Sequence, residues 1–286
     1  MKSMKLQPWG DAELVEANRK FYDTLWAGAR LIGPEFFSTW PLVCSLVSSS
    51  RRMLEVAPGL RPRLPLEGTL FVDMSVPAVT KLRAHGANAV VGLLSSLPLP
   101  DDAFDLVCAF DILEHVDDDE EALSELSRVA AQGATLLLSV PLHPSHWTAF
   151  DDFVGHRRRY PPEQLLEKLA GHGFSVHQSA VYGMQPKSTR LLDLGMWCLE
   201  HRRDKAMWWY NRVFMPLGVR LQKKLSLVAG MADTEGVDEL LLVCRKESTL
   251  QAATPNRAPT PAVNAIAMAP QKVTRVTDAS MGAPPA

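Results

Sequence analysis

Three side chains near the middle of the chain could act together chemically. Asp111, Glu114 and His115 stand at i, i+3 and i+4, a spacing that puts them on one face if the segment begins a helix. Their donors suit a hard divalent cation such as magnesium, and a later histidine, His156, would complete a mixed oxygen and nitrogen site. His115 and His156 also have the ordinary pKa that proton transfer near neutrality requires. A positioned base of this kind contributes about 10²–10⁴-fold. The plainer reading is a helix start, with Glu114 favouring the positive end of the dipole and His115 half-buried.

A second group lies upstream. The run Glu55-Val-Ala57-Pro-Gly59-Leu-Arg61 follows an apolar strand, and a small-residue turn there lets backbone approach a ligand at the carboxyl edge of a sheet. The next strand ends in Asp73, 18 residues after Glu55, where an acid can accept both hydroxyls of a ribose. Downstream, Arg157, Arg158 and Arg159 precede Tyr160. Their forked donors could anchor an anionic acceptor; the alternative is a solvated loop with local pairing.

These residues need a scaffold, and the hydrophobic pattern supplies one. Strands are expected at Met53–Ala57, Leu70–Asp73, Ala89–Val91, Phe104–Phe110, Thr135–Val140, Phe174–Val181 and Glu239–Cys244. Between them a helix starts at Ser75, with Pro77 early in it, and ends at Gly86. Another runs from Asp119 to Ala131 behind an acidic first turn, and a third from Pro161 to Ala170. Alternating strands and helices predict a mostly parallel α/β sheet, seven-stranded and covered on both faces. An amphipathic pattern from Asp11 to Arg30 adds an N-terminal helical cap.

The boundaries expected are a cap over 1–50, an α/β core over 51–182, a helical insert over 183–236, a last core strand over 237–247 and a disordered tail over 248–286. The insert holds Trp197, Trp208 and Trp209 among Arg202, Arg203, Lys205, Arg212, Arg220, Lys223 and Lys224. It reads either as a small core or as a surface for anionic lipid or phosphate. The tail is rich in Ala and Pro and lacks a core-forming pattern.

Composition excludes several classes. The 286 residues are 47% hydrophobic and 22% charged, with net charge −2, so overall basicity on nucleic acid is not the working principle. Cys44, Cys108, Cys198 and Cys244 are scattered without a CxxC pair, which speaks against a structural zinc or a disulfide framework and suits buried thiols in a reducing compartment. No apolar run of 18 residues occurs and no leader precedes Trp9, so a cytoplasmic, soluble protein is expected.

One resemblance organises these features. Leu97-Pro-Leu-Pro-Asp-Asp-Ala-Phe-Asp-Leu-Val107 leads into Asp111-Ile-Leu-Glu114-His115, then Arg128-Val129 and a strand. Further on come Trp147 and the run Gly155-His156-Arg157-Arg158-Arg159-Tyr160. The pattern resembles the class I methyltransferases that use S-adenosylmethionine, in particular their bacterial small-molecule branch, over roughly Met53 to Val181 plus the last strand. It implies a Rossmann-like methyltransferase fold whose last strand is antiparallel. It also implies S-adenosylmethionine held by Glu55, Ala57, Gly59, Asp73, Met74, Leu93, Ser95 and Asp111. His115 or His156 would steer or deprotonate a small-molecule or lipid-linked acceptor, methylated at oxygen, with Arg157 to Tyr160, the cap and the insert around it.

Departures from the pattern suggest alternatives. Of the family's glycine-rich turn only Gly59 remains, and Pro58, Pro62 and Pro65 disfavour the helix that normally follows. A non-catalytic binding module is therefore one alternative. A similar acid-x-x-Glu-His set binds a divalent ion in ubiquinone-pathway O-methyltransferases and in small-RNA 2′-O-methyltransferases. That makes a metal site of Asp111, Glu114, His115 and His156, on a metal-assisted RNA enzyme, the other.

Overall fold

The computed structural model describes residues 11–183, 197, 201, 202, 205 and 208–247. Much of the expected insert, the tail and Cys198 lie outside these residues. Eight strands form one sheet in the order β3-β2-β1-β4-β5-β8-β6-β7. They are β1 Met53–Val56, β2 Thr69–Asp73, β3 Asn88–Val91, β4 Phe104–Phe110, β5 Ala130–Pro141, β6 Phe174–Tyr182, β7 Val228–Ala229 and β8 Glu239–Lys246. The first five pair in parallel, and β8 runs antiparallel between β5 and β6. The predicted mostly parallel sheet is thus found with one strand more than expected. The addition, the two-residue β7, pairs with β6 from within a stretch expected to be helical.

Burial explains why the central strands read as unbroken apolar runs. Leu106, Val107, Cys108 and Ala109 of β4 are all fully buried, as a strand covered on both faces requires. One face packs Leu54, Val107, Ala109 and Leu136 against α4 (Asp119–Val129) and α6 (Pro162–Gly171). Toward the middle of the other face Leu106, Cys108 and Leu137 meet α2 (Trp40–Val47). At its β2–β3 end Phe71 meets α1 (Asp11–Gly28) and α3 (Val76–Ala84).

Helix starts follow side-chain chemistry. Ser75 caps α3 by accepting from the Ala78 amide, and Asp118 caps α4 by accepting from Glu121 at 3.0 Å. α4 ends at Val129, two residues before the expected Ala131, because β5 already begins at Ala130. Cys108 and Cys244 are buried as expected, whereas Cys44 is exposed near the end of α2.

The connection from β1 to β2 is the unusual part. Residues 57–68 carry no helix, as the three prolines predict. Two acids hold this loop instead. Glu55 in β1 accepts from the amides of Arg63 (2.8 Å) and Leu64 (2.8 Å), and Asp73 at the end of β2 accepts from the Gly59 amide at 2.8 Å. Leu60 and Leu64 are fully buried beneath it.

Candidate active site

The carboxyl ends of β1, β2, β4 and β5 lie at one edge; Ala57 and Gly59 follow β1, Asp73 ends β2 with Met74 next, and Asp111, Glu114 and His115 follow β4. Three of those turns contain a non-glycine residue with positive φ: Ala57 (52°), Asp111 (50°) and His143 (57°). A left-handed conformation is uncommon for such residues and costs on the order of 1–2 kcal/mol each.

Around the first turn, the two acids expected to meet a cofactor are engaged with backbone. Burial pushes the Glu55 carboxyl up to about 7, against the pull of the Leu64 and Arg63 amides. Asp73 is raised to about 6 by burial, while its two oxygens accept from the Ser75 and Gly59 amides at 2.8 Å each. Gly92 donates to the Asp73 carbonyl at 3.1 Å, so Leu93, exposed, and Ser95, half-buried, follow directly on this corner, as does Met74. The space above Gly59 is filled from α1. A Cβ on Gly59 (φ +55°) would come within 2.1 Å of the Trp26 ring. Trp26 is buried beneath Arg61, whose guanidinium carbon lies 5.2 Å from the ring centroid. These residues suit a nucleoside cofactor in kind: an acid for hydroxyls and a close-approach turn. In position they suit it only once Trp26 withdraws.

After β4, Asp111 takes the strained turn and accepts from the Ser139 hydroxyl at 2.5 Å, while its own amide donates to Ser139 Oγ at 3.0 Å. Beside it Glu239, at the start of β8, is pushed well above the ordinary carboxylate range by burial and by the Asp111 charge. Arg63, stacked 3.8 Å over Phe37, donates to the Tyr182 hydroxyl at 3.2 Å in the same corner. Sequence reasoning missed Arg63, Ser139, Tyr182 and Glu239; each belongs to a strand or loop whose neighbours only the sheet order supplies.

One turn further, Glu114, His115 and His156 converge, with one donor atom from each lying within 4.8 Å of the others. Asp111 is not among them, so the expected four-residue metal set is reduced to three. Residues 113–115 form a single 3-10 turn rather than a helix start, which is why the i, i+3, i+4 argument overreaches. Glu114 is 1% exposed and its Oε2 has no hydrogen-bond partner among the described residues. Burial first, then the Asp111 charge, raises its pKa well above normal. His115 lies near the Tyr22 hydroxyl (3.1 Å to Nε2) and edge-on to His156 at 4.7 Å. Burial, with His156 nearby, lowers its pKa to about 3, so it is neutral.

His156 is the oriented one. Its Nδ1 lies 2.8 Å from Asp151, and a carboxylate only accepts, so Nδ1 carries a proton and Nε2 is the nitrogen left for another partner. Nε2 points toward Glu114, 3.8 Å from its Oε1. Asp151 is completely buried at the start of α5 (Ala149–Val154) and closes a capping box with Thr148. It also takes Arg159 through two bonds, at 2.9 and 3.1 Å. The Thr148-x-x-Asp151 spacing is the signal that would have found it.

The arginines have partners inside the protein. Arg157 pairs with Asp117 at 2.9 Å, Arg158 with Asp119 at 2.6 Å and Arg159 with Asp151. Tyr160 donates to Asp119 at 2.9 Å. The run expected to meet an acceptor thus clamps the loop carrying His156 onto the start of α4.

Residues 59–138 match the family of the methyltransferase domain. A probable S-adenosylmethionine-dependent methyltransferase of Mycolicibacterium smegmatis is 35% identical over 114 residues, 38% of this chain and 44% of that protein. The ajmaline N-methyltransferase of Rauvolfia serpentina is 30% identical over 104 residues, 36% of this chain and 30% of that protein. The chain thus spans less than half the length of these relatives. A solved S-adenosylmethionine-dependent methyltransferase of Thermotoga maritima, described as a possible histamine N-methyltransferase, superposes with a TM-score of 0.52. It is 17% identical and covers 83% of this chain and 97% of its own, which is a likeness of fold. Sheet order and this likeness define an α/β fold of the Rossmann-like methyltransferase type. Residues 59–138 thus carry a methyltransferase domain, and the chain is similar to S-adenosylmethionine-dependent methyltransferases over that part.

Proposed function

We propose that the protein transfers a methyl group from S-adenosylmethionine to the oxygen of a small-molecule or lipid-linked acceptor, in the cytoplasm. The observation that carries the reading is His156, held through Nδ1 by buried Asp151 with Nε2 turned toward Glu114 and His115. S-Adenosylmethionine supplies an already activated methyl group, so the chain's task is to align the acceptor and hold its proton. Asp73, Gly59 and the Met74, Leu93 and Ser95 corner would take the nucleoside, and Asp111 with Ala57 the amino-acid end. His156 Nε2 would receive the acceptor proton, with neutral His115 and Glu114 lining the approach. A relative named for N-methylation brings an amine as the alternative acceptor, and the same base serves it.

Calorimetric titration with S-adenosylmethionine and with its demethylated product tests the cofactor assignment. Heat with both is expected. Silence with both would leave a binding module that has lost turnover. The triad Glu114, His115 and His156 supports a second reading, in which a divalent cation helps orient the acceptor. Activity unchanged by a chelator and by Glu114→Ala would remove it, and with it the RNA-methylating alternative.

A further inference from the structure

The segment after β6 contains an exposed face that the site above does not use. Residues Tyr210–Phe214 form a π-helical turn that continues into α7 (Met215–Arg220). Met215 and Val219, one turn apart, are buried against Phe37 and Ile32. The Ser38 amide donates to Gln222 at 2.6 Å just beyond the helix. One stripe therefore fastens the helix to the body of the protein.

The opposite stripe should then be polar, and it is not. Trp208, Trp209, Phe214, Leu217 and Leu221 are 54%, 51%, 61%, 50% and 72% exposed. At about 100° per residue Phe214, Leu217 and Leu221 fall within a sector of roughly 60°, pointing away from the buried pair. Between Lys205 and Lys224 the sequence has five bases and no acid. Lys205, Arg212, Arg220, Lys223 and Lys224 are all exposed, and none has an ion pair among the described residues.

We propose that this face is a docking surface for an anionic lipid bilayer. Exposed tryptophans and leucines flanked by unpaired bases are what an interfacial helix requires, apolar atoms entering the headgroup boundary while cations meet lipid phosphate. The contact is peripheral, because no helix among the described residues is long and apolar enough to cross a membrane. A second copy of the chain is the poorer occupant, since a self-complementary contact would bring the same acid-free cluster of bases together. The face also adjoins the site. Phe37, which seats Met215 and Val219, carries Arg63 on its ring, and Arg63 reaches Tyr182. Bilayer docking would present a lipid-linked acceptor from that side, a consequence that rests on the function proposed above.

Sedimentation with phosphatidylcholine vesicles, with and without phosphatidylglycerol, tests the proposal, together with the tryptophan emission of Trp208 and Trp209. The full chain is expected to partition about tenfold more strongly onto the anionic vesicles at low salt, with a blue shift, and to release at high salt. Two variant sets at exposed positions should each lower partitioning at least about tenfold while leaving thermal unfolding unchanged. One combines Phe214→Ser, Leu217→Ser and Leu221→Ser; the other Arg220→Glu, Lys223→Glu and Lys224→Glu. The salt dependence of the unaltered chain decides the matter if either set fails to fold. Equal partitioning onto neutral and anionic vesicles, or retention by both sets, would overturn the proposal. So would a concentration-dependent dimer that the serine set abolishes. Calorimetry with the demethylated cofactor on the same preparation separates the two ideas: vesicle binding without cofactor binding sinks the catalytic reading alone.

Discussion

Replacing Asp151 by asparagine tests the feature on which the site most depends. The carboxylate is fully buried and accepts from His156 Nδ1 at 2.8 Å, from Arg159 at 2.9 and 3.1 Å, and from the Thr148 amide and hydroxyl at 2.7 and 2.8 Å. Burial alone would raise its pKa, but the bonds from His156, Arg159 and Thr148 outweigh that and hold it far below the usual carboxylate range. Asparagine keeps the shape and one acceptor oxygen, yet turns an amide toward either Arg159 or His156. Arg159 is itself fully buried in its side chain, so its charge loses its close counter-ion. Breaking a buried pair in this way costs about 3–5 kcal/mol, a large part of the ~5–15 kcal/mol that holds a domain together. Urea unfolding followed by circular dichroism reads the loss. Thr148→Ala is the control. It removes one hydroxyl bond and the cap but leaves both charge pairs, for about 0.5–2 kcal/mol. Turnover at matched folded fraction should fall by about 10²–10⁴ in the Asp151 variant, because the ring of His156 is no longer fixed in one tautomer. A stability loss below about 1 kcal/mol, the range of an exposed pair, would refute the buried-clamp argument.

Three further outcomes follow from the loop between β1 and β2. Glu55 has its folded pKa raised from 4.5 to about 7. Its contribution to stability is therefore complete below about pH 4.5 and lost as pH rises through about 7, by roughly 3 kcal/mol across the shift. Glu55→Gln should remove that slope between about pH 5 and pH 7.5, and identical slopes in denaturant titrations of the two proteins would contradict it. Asp73→Ala, which orphans the Gly59 and Ser75 amides, should weaken affinity for the demethylated cofactor by about 1–3 kcal/mol. Unchanged calorimetric affinity would show that Asp73 does not face the ligand. Trp26→Ala should destabilise the unliganded protein by about 3–5 kcal/mol yet tighten cofactor binding, since the ring over Gly59 no longer has to leave. A parallel loss of stability and affinity would mean that Trp26 is part of the cradle rather than an occupant of it.

Legibility in the sequence followed the range of the interaction. The parallel strands were readable because burial on both faces leaves runs such as Leu106 to Phe110 without polar interruption. α3 was readable because Ser75 acts within four residues, and α4 because acids crowd its first turn. Pro58, Pro62 and Pro65 announced the missing helix by the same local logic. Their consequence was not readable. That Glu55 and Asp73 serve as clasps for the helix-free loop depends on which amides fold back to them. Roles set by side-chain partners far along the chain were the least accessible. Arg157, Arg158 and Arg159 look like anion binders in isolation, yet Asp117, Asp119 and Asp151 already neutralise them. The two-residue β7 has too short a pattern to stand out, and it exists only because the neighbouring edge of β6 offers partners.

The left-handed residues connect these local facts to the site. Ala57, Asp111 and His143 follow β1, β4 and β5, three strands that are adjacent in the sheet. Each is pinned by a bond from outside its own turn. The Ala57 amide donates to Val72 at 2.7 Å, that of Asp111 to Ser139 Oγ at 3.0 Å and that of His143 to Tyr160 at 2.9 Å. At a cost on the order of 1–2 kcal/mol apiece, such turns persist only where the surroundings over-determine them. Here the surroundings are the neighbouring strand ends and the arginine-clamped loop, so strain and clamp form one construction. Loosening the clamp should therefore disturb the Asp111 and His143 turns as well as His156. Asp151→Asn would then spread chemical-shift changes across all three strand ends in a heteronuclear spectrum, whereas changes confined to α5 would break the link.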